Sequence, residues 1–178
     1  MKSGRSRPSS PSKPVADFTR PATWEDLRAV AALLNGAGVR YALIGGYAIA
    51  AHGYNRFSED LDLIVEPSPD NTGKWIAALS NLPDGACREL AGQNTLFERE
   101  GEYAIRINDE FTIDIMPSAC GHRFAELEPF IEERWLDGVR LPVLGLAGLL
   151  LTKEGMRDKD RADRRVIEQA LAALKAGS

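Results

Sequence analysis

The sequence predicts an α/β (α+β) domain, a short mixed β-sheet flanked by helices, with C-terminal helices closing one side of a cleft. Three observations predict it. The stretch Tyr41–Glu66 reads as strand, two-glycine turn, short alanine-rich helix, loop and second strand. A third strand-like run, Phe111-Thr-Ile-Asp-Ile-Met116, carries one aspartate among apolar residues. Two helical patterns, 146–156 and 159–175, end the chain, the last with Val166, Ile167, Ala170, Leu171 and Leu174 on one face.

The 178 residues suffice for one domain with a substantial core. Residues 1–20 are rich in Ser, Pro, Lys and Arg and bury too little apolar surface to offset ordering entropy, so we read a disordered basic tail there and one domain over 21–178. That tail carries a net +4, which leaves −8 for the rest of a chain whose total is −4. An acidic body argues against broad nucleic-acid binding, which needs clustered Lys and Arg. No apolar core of a signal peptide opens the chain, and the run 141–151 is too short to span a bilayer, so a cytoplasmic protein with no membrane association is expected. Cys87 and Cys120 form no CxxC pair and read as reduced thiols; with His122 they match no usual zinc spacing.

In chain order, Thr23 reads as an N-cap, with Glu25 and Asp26 at the positive end of a helix whose apolar face is Leu27, Val30, Ala31 and Leu34. Asn35-Gly36 stops it. The first strand is read over 39–44, Gly45-Gly46 as the turn, and 47–52 as the short helix. The second strand is read over 60–65, closed by Pro67. A helix begins near Pro69 or Asp70 and ends before Leu82-Pro83-Asp84-Gly85. Residues 96–99 and 103–107 are read as a hairpin across 100–102, and Asn108-Asp109 as the turn into the third strand. Asp137-Gly138 signals a second hairpin. Trp75 and Trp135 are expected in or near the core.

The chemistry-bearing residues follow from strand alternation. Asp60 and Asp62 are two apart, so their carboxylates share a face while Leu61 and Leu63 take the other. If the strand of Asp114 pairs nearby, three carboxylates meet at one rim of the sheet. Hard divalent cations take such oxygen donors, and two metals on three carboxylates suit attack of a hydroxyl on the α-phosphorus of a nucleoside triphosphate. Gly45 and Gly46 allow close backbone approach to a phosphate. Arg56 is read either as a phosphate contact or as a partner of Glu59 or Asp60, and Ser58 either as a loop-stabilising hydroxyl or as a nucleotide contact. Lys153 either snorkels from an apolar helix or reaches the triphosphate. Lys159 and Asp163, four apart, are read as an ordinary helix pair.

Gly45-Gly46, His52-Gly53, Arg56, Ser58, Asp60-Leu61-Asp62 and the later Asp114 resemble the pattern of the DNA-polymerase-beta-type nucleotidyltransferase superfamily. The likeness is to small bacterial members of the AbiEii toxin type and to antibiotic nucleotidyltransferases. It implies the nucleotidyltransferase fold, Asp60 and Asp62 as ligands of Mg2+ or Mn2+, and Asp114 as metal ligand or general base. It also implies a triphosphate held at Gly45-Gly46, with Lys153 and, more distantly, Lys159-Asp160 contributing. Ser58 stands where threonine is frequent, which keeps the hydroxyl. The expected partners are an NTP, a hydroxyl acceptor (tRNA, protein or antibiotic) and, for a toxin, an antitoxin. Two other readings stay open on the residues alone: a non-catalytic nucleotide-binding module, and a metal-dependent phosphodiesterase for which only His52 and His122 are available.

Overall fold

Thr23 starts the first helix, α1 (Trp24–Gly36), through a reciprocal cap. Its Oγ1 accepts from the Asp26 backbone N–H at 3.2 Å, and the Asp26 carboxylate accepts from the Thr23 N–H at 2.8 Å. Leu27, Val30, Ala31 and Leu34 are fully buried, the face the helical spacing marks out. The computed structural model describes residues 19–98, 103–155 and 157–177; the expected 100–102 turn and most of the expected tail fall among the residues outside them, which are 1–18, 99–102, Met156 and Ser178.

The chain then runs through β1 (Tyr41–Ile44), α2 (Gly45–Ala51), β2 (Leu61–Val65) and α3 (Pro69–Leu79). After a 3-10 turn at Ala86–Leu90 come β3 (Ile105–Asn108), β4 (Thr112–Met116) and a two-residue hairpin, β5 (Ser118–Ala119) with β6 (His122–Arg123). Next come α4 (Phe124–Leu127), β7 (Ile131–Leu136), β8 (Val139–Leu144), α5 (Leu146–Leu151) and α6 (Asp158–Ala176). Six strands form one mixed sheet in the order β3-β4-β2-β1-β8-β7. β1 runs antiparallel to β2 and parallel to β8, and β2 runs parallel to β4. The central β1 is buried at every position, as a strand covered on both faces must be. The β7–β8 hairpin turns at Asp137 (φ 46°) and Gly138 (φ 81°), the two positive-φ positions of a type I′ turn.

Four expectations need correction. Leu96–Glu98 form no strand; Phe97 instead packs its ring 6.0 Å from Trp75 and 5.8 Å from Tyr103, so side-chain clustering replaces a ladder. Gly45 and Gly46 are the first residues of α2, not a turn before it. The fifth helix ends at Leu151, where the Thr152 hydroxyl donates back to the Leu149 carbonyl, well short of residue 156. Trp75 is fully buried, but Trp135 is 69% exposed, because β7 is an edge strand.

Candidate active site

Register lines up the chemistry. Ile44 pairs with Asp62, Asp62 with Asp114, and Asp114 with Arg106, so one row crosses β1, β2, β4 and β3. Residues directly paired on neighbouring strands present their side chains to the same face. Leu61 and Leu63 fill the opposite face and are fully buried. Asp60 lies on the bend before β2, one position short of the expected strand. Its carboxylate still reaches the row, with Oδ2 3.3 Å from Arg106 Nη2.

The three carboxylates have different surroundings. Asp62 is half-buried, accepts no hydrogen bond from any described residue, and is pushed up to about 6 by burial, with the Asp114 charge adding to the rise. Lys159 and Lys153 pull it the other way. Asp60 is also raised, first by burial and against the attraction of Arg106. Asp114 receives a forked pair from Arg106, Nε to Oδ1 at 2.9 Å and Nη2 to Oδ2 at 2.8 Å. That pairing raises the arginine further above its ordinary value.

The two glycines make room for this row. Gly45 has φ +69°, and a Cβ on it would stand 2.2 Å from Asp62 Oδ2. A Cβ on Gly46 would stand 2.7 Å from the Cβ of Ser58. Ser58 Oγ donates to the Asp60 carbonyl at 3.1 Å and so steadies the bend that presents Asp60. This contact is that of a loop-stabilising hydroxyl. Tyr47 packs in the core with its hydroxyl on the Ala22 carbonyl, and His52 is held by the Leu144 carbonyl at 3.0 Å.

A second, ionic cluster closes the other wall. Arg56 pairs with Asp163 at 2.6 Å, not with Glu59 or Asp60. Lys153 follows the end of α5, is buried, and places Nζ 3.0 Å from Asp163 and 3.6 Å from Asp160. It therefore neither sits within an apolar helix nor snorkels to solvent. Arg157 completes the group, 3.1 Å from Asp160. Asp163 is engaged by Arg56 and Lys153, so the expected Lys159–Asp163 pair is replaced. Burial acts to raise the Asp163 carboxyl, and the hydrogen bonds from Arg56 and Lys153 hold it below its ordinary value all the same.

Between the walls lies a cleft of about 970 Å³. Gly45, Arg56, Ser58, Asp60, Asp62, Asp114 and Lys153 all line it; Gly46 lies behind Ser58 and does not. Lys159 lines it as well, and its charge favours the ionised forms of both Asp60 and Asp62. The sequence reading missed Arg106. Its position follows from the register: Asn108 pairs with Thr112, so two steps outward Arg106 faces Asp114, a register that no local pattern in the sequence gives.

The oxygen-donor set, and above all the unpartnered Asp62 carboxylate, has the chemistry a hard divalent cation takes. As the side chains stand, no three Asp, Glu, His or Cys among the described residues are grouped closely enough to hold one, and the zinc set of Cys87, Cys120 and His122 is not assembled. No helix among the described residues is long and apolar enough to cross a membrane.

No protein-family model and no curated protein matches the chain. Solved structures do. The antibiotic-resistance factor ANT(2'')-Ia in solution is similar with a TM-score of 0.54 at 14% identity, over 85% of each chain. The crystal structure of ANT(2'')-Ia with adenylyl-2''-tobramycin gives 0.54 at 15% identity, over 85% of this chain and 91% of that one. The lincomycin-bound lincosamide antibiotic adenylyltransferase LnuA gives 0.53 at 16% identity, over 83% of this chain and 98% of that one. The mixed sheet and its helices thus have the fold of the nucleotidyltransferases.

Proposed function

We propose that this protein transfers a nucleoside monophosphate from a nucleoside triphosphate to a hydroxyl acceptor. The observation that carries the proposal is the in-register pair Asp62–Asp114, with Asp60 beside it, at the edge of a cleft that Lys153 and Lys159 also line. Asp60 and Asp62 would hold Mg2+ or Mn2+, with Asp114 as a further ligand or as the base toward the acceptor hydroxyl. When bound, the metal supplies charge neutralisation at the phosphates. Lys159, exposed at the start of α6, supplies a cation to the triphosphate. Lys153, Arg56 and Asp163 hold the cleft wall in place. Gly45 and Gly46 serve by leaving space for Asp62 and Ser58, and the backbone at Gly45 borders the nucleotide.

Of the structural neighbours, ANT(2'')-Ia is in complex with adenylyl-2''-tobramycin and LnuA is bound to lincomycin. A net charge of −4 favours a cationic small molecule over tRNA as the acceptor here. A toxin with an antitoxin partner remains the contrasting reading of the same chemistry. It predicts growth arrest on expression that Asp60→Ala relieves, where the antibiotic reading predicts drug resistance.

A second reading, a non-catalytic nucleotide-binding module, draws on Arg106 already spanning two of the carboxylates. One experiment separates the two. The purified protein is titrated with each of the four NTPs in Mg2+ and in EDTA, and pyrophosphate is followed with an aminoglycoside or lincosamide present. Metal-dependent binding and pyrophosphate release, both lost in Asp62→Asn, support transfer. Tight binding that never yields pyrophosphate supports the module, and full transfer by a folded Asp62→Asn variant overturns the proposed mechanism.

A further inference from the structure

A guanidinium stands at the place where the carboxylate row would receive a cation. Arg106 faces Asp114 across the β3–β4 ladder, and both its Nε and Nη2 donate to that carboxylate. The same Nη2, 2.8 Å from Asp114, lies 3.3 Å from Asp60 Oδ2. One nitrogen therefore bridges two of the three carboxylates that would hold a divalent cation. Nitrogen-to-oxygen hydrogen bonds are about 2.9 Å long and Mg2+–oxygen bonds about 2.1 Å, so an arginine bridge leaves the oxygens wider apart than a metal does. That spacing is consistent with the lack of any three grouped ligands among the described residues.

The bridge is built to open. β3 is an edge strand, and the Arg106 side chain is 58% exposed against 13% for Asp114. The arginine lines the cleft, and its exposure leaves it free to rotate there. The backbone that carries the carboxylates, in contrast, is fixed: at Asp114 by β4 between two strands, and at Asp60 by the bend that Ser58 holds, so only side-chain rotation is needed to close them on a cation.

We infer that Arg106 is the resident counter-charge of the carboxylate row, and that a divalent cation binds there by displacing its guanidinium from Asp60 and Asp114. The inference rests on the nucleotidyl-transfer reading for the presence of a metal. Under it the arginine sets the metal affinity of the empty enzyme, keeping the carboxylates paired until a cation enters.

The test is a titration of the full chain with Mn2+ in the absence of nucleotide, with free Mn2+ read by electron paramagnetic resonance. Arg106→Met keeps the aliphatic stem and removes the competitor, and it binds Mn2+ about tenfold more tightly than the unaltered protein, the scale of a charge-assisted hydrogen-bonded pair. Arg106→Lys, with a cation but no fork, falls between them. Equal or weaker binding by Arg106→Met overturns the inference and leaves the proposed function standing; absence of Mn2+ binding in both proteins overturns both. The unaltered protein gives an independent reading if the variant fails to fold. The Arg106 Nε–H resonance moves toward that of a free arginine on saturation with Mg2+, and a resonance that stays in place at saturation overturns the inference.

Discussion

The carboxylate of Asp62 lies against the Cα of Gly45, so close that a methyl group on the glycine would meet Oδ2 at 2.2 Å. Gly45 also has φ +69°, a conformation that opposes any side chain. Gly45→Ala therefore suffers both a clash and backbone strain. Gly53, at φ +89° with nothing within 4 Å of an added Cβ, suffers strain alone. We expect Gly53→Ala to cost about 1 kcal/mol in urea denaturation, and Gly45→Ala roughly 2–3 kcal/mol or more. Gly45→Ala also loses nucleotide and Mn2+ binding as Asp62→Asn does. Equal destabilisation of the two alanine variants, with binding intact, would show that the contact does not matter.

Asp62 makes the fold pH-sensitive in a definite direction. Its carboxyl, about 6 in the folded protein, lies above the ordinary value of 3.8 that it recovers on unfolding. The group therefore favours the folded state fully below pH 3.8, and that contribution is lost as pH rises through about 6. In EDTA, Asp62→Asn is expected to be more stable than the unaltered protein at pH 7.5 by ~1–2 kcal/mol, after discounting for partial exposure. The advantage disappears near pH 4. Urea midpoints measured from pH 4 to 8 check this, and a difference that does not change with pH argues against it.

Lys153 has the opposite kind of role, as a counter-charge to two buried aspartates. Lys153→Met leaves Asp163 with Arg56 and Asp160 with Arg157. We expect a loss of about 2–4 kcal/mol at pH 7, and a larger one when Arg56→Met is added. The folded Asp163 carboxyl lies below its unfolded value, so its stabilisation is present above the unfolded pKa of 3.8 and is lost as pH falls through the lower folded value. The deficit of Lys153→Met narrows accordingly in acid. A deficit unchanged down to pH 3 would mean that packing, not charge, is what the lysine contributes.

The two tryptophans provide a contrast free of electrostatics. Trp75 is fully buried against Phe97, and Trp135 stands 69% exposed on the edge strand. Trp75→Ala should cost roughly 3–5 kcal/mol, and Trp135→Ala within about 0.5 kcal/mol. Thermal denaturation followed by far-ultraviolet circular dichroism decides it.

What could be read from the sequence was what depends on near neighbours. The N-cap at Thr23 acts within four residues, Thr23 to Asp26, and the Asp137–Gly138 turn takes two. That Asp62 faces away from Leu61 and Leu63 follows from alternation alone, whereas Asp60 reaches the same row from the bend before β2. Asp114 could be named because an aspartate among isoleucines needs a reason. What could not be read depends on distant partners. Arg56 finds Asp163 across 107 positions of sequence, and no local pattern reports that choice over Glu59 or Asp60. Arg106 required the exact register of two strands. The glycine pair drew notice for its lack of side chains, and Asp62 and Ser58 occupy the space that side chains there would take.

The order of strands in the sheet has a consequence during synthesis. The central β1 is flanked by β2, which follows it closely, and by β8, which arrives only at Leu144. Asp62 and Asp114 can pair once β4 has been made, but Lys153 and Asp163 emerge some forty to fifty residues later, a few seconds of translation. For that interval the nascent chain presents a half-built sheet with an open edge on β1 and acidic groups lacking the lysines that later face them. Such unpaired strand edges are what chaperones engage on nascent chains.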